Sequence, residues 1–185
     1  MDGGLSEGFA NPPIDAARAF RAVMQAIARP GTQHTVAAPS PGRMGAAMAG
    51  VLLCICDHET PIWLAPSIDV PEVRDWVRFH TGAFLAERDA AQFAFGSWAE
   101  MLPLDDFAIG TPDYPDRSAT LVVEVPELGA AHRLTGPGIK DTAHLTVPDP
   151  DAIRSNNALF PLGLDFLLTS IDQVAGLPRT TRVEV

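Results

Sequence analysis

The stretch MGAAMAGVLLCIC (residues 44–56), followed by the polar break DHE (57–59) and by TPIWL (60–64), decides the fold class. The first segment is apolar on every side. Its small residues Ala46, Ala47, Ala49 and Gly50 predict a buried helix that packs closely on its neighbours. TPIWL reads as a strand, with proline at its start, where a missing N–H is tolerated. An amphipathic helix follows, with Val73, Trp76, Val77 and His80 on one face. Pro71 suits its first turn and Gly82 ends it. Buried helix, strand and second helix in succession are the pattern of a layered α/β domain.

Toward the N-terminus, residues 14–29 predict a helix whose buried face is Phe20, Val23, Met24 and Ile27. Pro12 and Pro13 precede it, Asp15 caps it and Pro30-Gly31 stops it. Residues 32–36 read as a short strand, ended by the Pro-Ser-Pro-Gly turn at 39–42. Toward the C-terminus, 92–95 is a short strand, 97–102 a helical turn capped by Ser97, and 110–117 a surface loop. Residues 119–125 are a strong strand with Leu121, Val122 and Val123 at its centre. Residues 132–135 are expected as its partner. Asp149 caps a helix over 150–159, 164–168 is a strand, and the tail over 177–185 runs extended. There are no repeats and no linker, so residues 1–185 are expected to form a single α/β domain with a mixed sheet.

Hydrophobic residues are 46% of the 185 and charged residues 19%, which excludes intrinsic disorder. The longest apolar run, 44–56, is shorter than the roughly 20 residues of a membrane span. The start, Met-Asp-Gly-Gly-Leu-Ser-Glu-Gly, lacks the basic and apolar regions of a signal peptide. A cytoplasmic protein with no membrane partner is expected. The net charge of −10 argues against nucleic acid as a general partner. The two cysteines, Cys54 and Cys56, lie in an apolar run and read as small core residues. A C-x-C pair without a second pair falls short of a structural zinc site.

Motifs for phosphate loops, dinucleotide binding, nucleophile elbows and zincins are all absent. Asp57-His58-Glu59 is the best metal candidate, and a solvated polar turn explains it equally well. Gly136-Pro137-Gly138 is a tight turn. Its backbone N–H groups could hold an anion, and a plain hairpin connection accounts for it as well. Lys140 is the only lysine, so an internal Schiff base with pyridoxal phosphate would have to use it. Two basic clusters stand out in this acidic chain: Arg78-Phe79-His80-Thr81 and Arg179-Thr180-Thr181-Arg182. Arginine forks and threonine hydroxyls are the donors a phosphate or carboxylate needs. Structural ion pairs are the competing reading. If the tail is extended, Arg179 and Thr181 share one face, and Thr180 and Arg182 the other. Trp63, Trp76 and Trp98 are expected to contribute exposed patches.

The residues together resemble the PhnH family, a subunit of the bacterial carbon–phosphorus lyase system. Phe20-Arg21 with Ala28-Arg29-Pro30-Gly31 opens the match. Val51-Leu52-Leu53 and Thr60-Pro61-Ile62-Trp63-Leu64 follow, then Arg78-Phe79-His80-Thr81 and Leu134-Thr135-Gly136-Pro137-Gly138-Ile139. Phe160-Pro161-Leu162-Gly163-Leu164-Asp165 and 177–185 complete it. The resemblance implies an α/β sandwich similar to the large domain of pyridoxal-phosphate-dependent transferases, without that cofactor. It implies a homodimer in isolation and association with the PhnG, PhnI and PhnJ subunits. The step that the resemblance assigns to the G, H, I and L subunits would displace adenine from ATP with an alkylphosphonate such as methylphosphonate, giving ribose 1-methylphosphonate 5-triphosphate. Radical cleavage of the carbon–phosphorus bond belongs to PhnJ. Two cysteines cannot ligate an iron–sulfur cluster, so this chain is not that subunit. No catalytic residue and no cofactor carries over. Arg78, His80, Thr81, Gly136, Gly138, Arg179, Thr180 and Thr181 are the candidates for phosphate or partner contact, read from residue chemistry. An independent enzyme on a small phosphorylated metabolite and a dimeric binding or scaffold protein are the other readings.

Overall fold

A computed structural model describes residues 7–184. Its centre is a mixed seven-stranded sheet. In spatial order the strands are β1 (Gln33–Thr35), β9 (Gln173–Leu177), β8 (Asp165–Ser170), β5 (Thr120–Glu124), β4 (Phe93–Ser97), β2 (Pro61–Leu64) and β3 (Phe84–Leu85). The run from β8 to β3 is parallel, while β9 and β1 continue the sheet antiparallel. A second sheet holds β10 (Arg182–Glu184), β6 (His132–Thr135) and β7 (Ala143–Leu145), all antiparallel.

Both faces of the large sheet are buried, which explains the unbroken apolar runs of its central strands. Val122 of β5 and Leu167 of β8 face a core shared with α1 (Pro12–Ala28), α2 (Ala46–Ile55) and α3 (Pro71–His80). Their neighbours Leu121, Val123, Phe166 and Leu168 face the other core, where Leu134, Leu145, Val183 and Ile153 meet them. That second layer contains the small sheet, α4 (Trp98–Met101) and α5 (Pro150–Asn157). Two of the three expected caps follow the sequence; α1 instead begins at Pro12 with Asn11 at its N-cap, and Asp15 lies inside the first turn, accepting from the N–H of Asn11. Ser97 and Glu100 form a capping box on α4, and Asp149 accepts from the backbone N–H groups of Asp151 and Ala152 on α5.

The order of the elements agrees with the sequence, and several details differ. Residues 132–135 do not pair with β5. Both edges of β5 are taken by parallel neighbours, so β6 builds the small sheet instead. The strand β9 and the short β3 and β7 were not foreseen. The tail is not extended throughout. Pro178 interrupts it, and the N–H of Thr181 closes a turn on the carbonyl of Pro178 at 2.8 Å before β10 begins. Strand alternation therefore does not apply to residues 178–181.

A further difference lies in α1. Its buried residues are Ala19, Val23 and Ala26, while Phe20 and Met24 are about half exposed. The cause is a close approach of backbones: a Cβ placed on Gly176 of β9 would lie 2.5 Å from the Ala26 carbonyl oxygen. Only the small-residue side of the helix can sit that near the sheet, and it turns the larger side chains outward. The tryptophans also depart from expectation. Trp76 is buried and Trp63 and Trp98 are half-buried, and the exposed apolar side chains include Phe20, Met24, Phe79, Phe84, Phe160 and Ile171 instead.

Candidate functional site

The N-terminal ends of β4, β5 and β8 open on a cleft of about 600 Å³. Phe93, Thr120 and Asp165 contribute the strand ends, Ser118 and Phe160 the loops, and Thr180 the rim. Its floor is built around Arg179. The backbone N–H of Arg179 donates to Asp165 Oδ1 at 2.8 Å and Nε donates to the same oxygen at 3.2 Å. Nη2 donates to Asp165 Oδ2 and to Ser118 Oγ. Nη1 donates to the carbonyls of Pro115 at 2.9 Å and Pro161 at 3.4 Å. The side chains of Arg179 and Asp165 are 11% and 25% exposed. Arg179 is thus a strut that ties the start of β8 to two loops and to its own turn, and its donors are spent on protein acceptors.

The turn of 136–138 meets this segment. A Cβ on Gly136 (φ +134°) would lie 2.9 Å from the carbonyl oxygen of Thr180. Gly138 (φ +83°) packs on the carbonyl oxygen of Ala28 at the end of α1. Both glycines therefore have steric reasons to be glycine, and the turn joins β6 to β7 as a hairpin connection would. Thr181 is 1% exposed, and among the described residues its hydroxyl has no hydrogen-bond partner.

Arg78, His80 and Thr81 lie elsewhere, at the C-terminal end of α3 beside the start of β3. Thr81 Oγ1 donates to the Val77 carbonyl at 2.8 Å and accepts from the N–H of Ala83 at 3.1 Å. The His80 ring stands 5.0 Å from the rings of Trp76 and Phe79. Arg78 is exposed. Four strand spacings separate β3 from β8, roughly 19 Å. The structure brings together Gly136, Arg179, Thr180 and Thr181, and keeps the α3 group at the other flank of the same sheet edge.

Asp57-His58-Glu59 is an exposed turn in which Asp57 Oδ1 accepts from the N–H of Glu59 and from Thr60 Oγ1. These bonds hold the Asp57 carboxyl below its usual range. No group of three or more potential metal ligands occurs among the described residues. Burial pushes the Cys54 thiol up to about 12 and raises Cys56 further, as expected of core cysteines. Lys140 is exposed on the turn between β6 and β7. No described helix is long and apolar enough to cross a membrane.

Sequence reasoning missed the acceptors that organise the cleft, Asp165 and Ser118. Asp165 closes the quoted run Phe160–Asp165, yet nothing local links it to an arginine in the turn after β9. It also missed Glu100 at the opposite edge, where the order of successive strands reverses between the parallel β2 and β4. In open α/β sheets such a reversal leaves a crevice at the carboxyl ends of the strands. Here the Glu100 carboxylate occupies it, accepting from Ser67 N, Ser67 Oγ and Ser97 Oγ at 2.7–2.9 Å.

Comparison with known proteins adds the family. The profile described as "Bacterial phosphonate metabolism protein (PhnH)" matches residues 7–184. The chain is similar to alpha-D-ribose 1-methylphosphonate 5-triphosphate synthase subunit PhnH of Rhizobium meliloti (strain 1021). The two are 42% identical over 190 residues, 97% of this chain and 95% of that protein. It is also similar to the putative C-P lyase subunit protein HtxG of Stutzerimonas stutzeri. There the identity is 30% over 174 residues, 90% of this chain and 85% of that protein.

Proposed function

The chain belongs to the PhnH family of bacterial phosphonate metabolism proteins, and from that premise we propose that it is a subunit of a synthase that joins an alkylphosphonate to the ribose of ATP. The observation that carries this reading is the 42% identity to a named synthase subunit along 95% of that protein's length. The product would be ribose 1-methylphosphonate 5-triphosphate, with adenine released. The chain is one PhnH-like domain working in the cytoplasm, a homodimer when isolated and a partner of PhnG, PhnI and PhnJ in the complex. Its sheet is related to the large domain of pyridoxal-phosphate-dependent transferases without using that cofactor. The exposed position of Lys140 fits a lysine that forms no Schiff base, since a Schiff-base lysine works from a desolvated pocket.

Within the complex the chain holds and positions. Arg179 acts indirectly, since its guanidinium is committed to Asp165 and Ser118 and fixes Thr180 at the cleft rim. Gly136 and Thr181 support that turn, and Gly138 ties it to α1. Arg78, at the end of α3 with His80 and Thr81, is exposed to a phosphate or to an acidic subunit surface. Reconstitution tests the reading. A complex assembled with this chain is expected to release adenine from ATP and methylphosphonate, and the complex lacking it to release far less. Adenine release by the isolated chain, or full release by a complex without it, would sink the proposal.

A further inference from the structure

The outward side of α1 carries an apolar seam beside its buried face. Pro13, Ala17, Phe20 and Met24 follow at four-, three- and four-residue intervals, the spacing of a helix that packs along a second helix, and Ile27, next in the series, packs against the chain's own core. Phe20 and Met24 are 50% and 51% exposed, and Ala17 is exposed beside them. Large apolar side chains placed as knobs along one line form a contact surface for a helix.

The flanking charges narrow the partner. Arg21 borders the seam on its solvent side, with Arg18 one turn earlier and Arg29 just past the end of α1. The one acid of the helix, Asp15, is turned inward on its own element, accepting from the N–H of Asn11 at 2.8 Å with Arg18 3.8 Å away. In a chain of net charge −10 this helix is a basic strip. A second copy laid antiparallel on the same seam would place Arg21 against Arg21, and like charges at flanking positions oppose pairing.

We propose that α1 receives an amphipathic helix of another polypeptide, with Phe20 and Met24 seated in its apolar seam and Arg21 paired with a flanking Asp or Glu. This rests on the reading of the chain as a subunit of a larger complex. The attraction confers orientation and salt sensitivity, while the apolar knobs supply most of the affinity.

The test uses the full chain co-expressed with the PhnG, PhnI and PhnJ subunits of its host. A photo-reactive benzoylphenylalanine at position 24 is expected to cross-link to a helical segment of another subunit that carries Asp or Glu beside an apolar seam. Arg21→Glu, and separately Phe20→Ser with Met24→Ser, should each reduce assembly about tenfold or more while melting within about 2 °C of the parent. Because these side chains are exposed, the fold does not depend on them. A cross-link within this chain or to a second copy overturns the inference. So does a cross-link to a segment without acidic flanks, no cross-link in an assembled complex, or assembly by Arg21→Glu equal to the parent. If the parent chain itself assembles with none of the three subunits, the subunit reading fails first and takes this inference with it.

Discussion

Asp165 accepts hydrogen bonds from both the backbone N–H and the guanidinium of Arg179, so a single carboxylate fixes the main chain and the side chain of the same residue. The pair is largely buried. Removing one member leaves the other uncompensated, which costs about 3–5 kcal/mol. Arg179→Ala is therefore expected to lower the melting temperature by roughly 6–20 °C in a domain of this size. Arg179→Lys should recover little, because one ammonium cannot reproduce the fork. Thermal unfolding followed by circular dichroism is the check, and a shift under 2 °C would mean that the strut is dispensable.

Thr181 offers the reverse case. Its buried hydroxyl has no partner among the described residues, so it carries a desolvation cost without a compensating bond. Thr181→Val should be neutral or stabilise by up to about 1 kcal/mol. Clear destabilisation in a urea titration would reveal a bridging water or another acceptor.

Gly138 adopts φ +83° and lies directly on the Ala28 carbonyl. Gly138→Ala must meet both the strained backbone and that oxygen, and is expected to destabilise by about 1–3 kcal/mol. Hydrogen exchange should then increase at the end of α1 as well as in the turn. Faster exchange in the turn alone would separate the two.

Two glutamates at the carboxyl edge of the sheet titrate in opposite senses. Glu124 is half-buried against Gly45, and burial raises its carboxyl above the ordinary 4.5. The folded state then binds its proton more tightly than the unfolded chain does. The contribution of Glu124 to stability is best in acid and worsens as pH rises through the raised value. Glu124→Gln should melt higher than the parent at pH 7, with the gain vanishing below about pH 4.5. A gain that persists unchanged at pH 3.5 would refute the assignment.

At Glu100 burial also pushes upward, but hydrogen bonds from Ser97 and Ser67 outweigh it and hold the carboxyl below its ordinary 4.5. Stability from this group is present above that value and is lost as pH falls through the lowered one. Glu100→Gln should therefore melt lower at pH 7, and the deficit should close in acid. Parallel melting curves for the two proteins across pH would contradict this.

Much of this architecture was legible because proline, glycine and capping residues punctuate it. Pro12-Pro13 with Pro30-Gly31, Ser97, and Asp149 mark helix ends through local chemistry that tertiary structure does not override. The face of α1 was not legible. Periodicity gives weight to Phe20 and Met24, whereas the deciding fact is a backbone contact with Gly176, remote in sequence. The partner of β6 failed for a related reason, since adjacency along the chain favours β5 and only the parallel neighbours of β5 exclude it. At the candidate site, Arg179, Thr180 and Gly136 could be singled out by residue chemistry. Their connection through Asp165 and Ser118 depends on strand order, which the sequence does not state.

The same contact between Gly176 and Ala26 has a consequence for biosynthesis. Helix α1 leaves the ribosome well before the strand it lies on. At about 5–20 residues per second, the Ala19, Val23 and Ala26 face waits on the order of ten seconds for its seat. During that interval α1 and the uncharged α2 present apolar surface with no sheet beneath them. Closure of the sheet by β8 and β9 is non-local and intrinsically slow. Yield in the cell should therefore depend on holdase chaperones more than the finished protein's stability suggests. A ribosome stalled before β9 should carry a nascent chain that is readily digested by protease, and one stalled well past β10 a resistant chain.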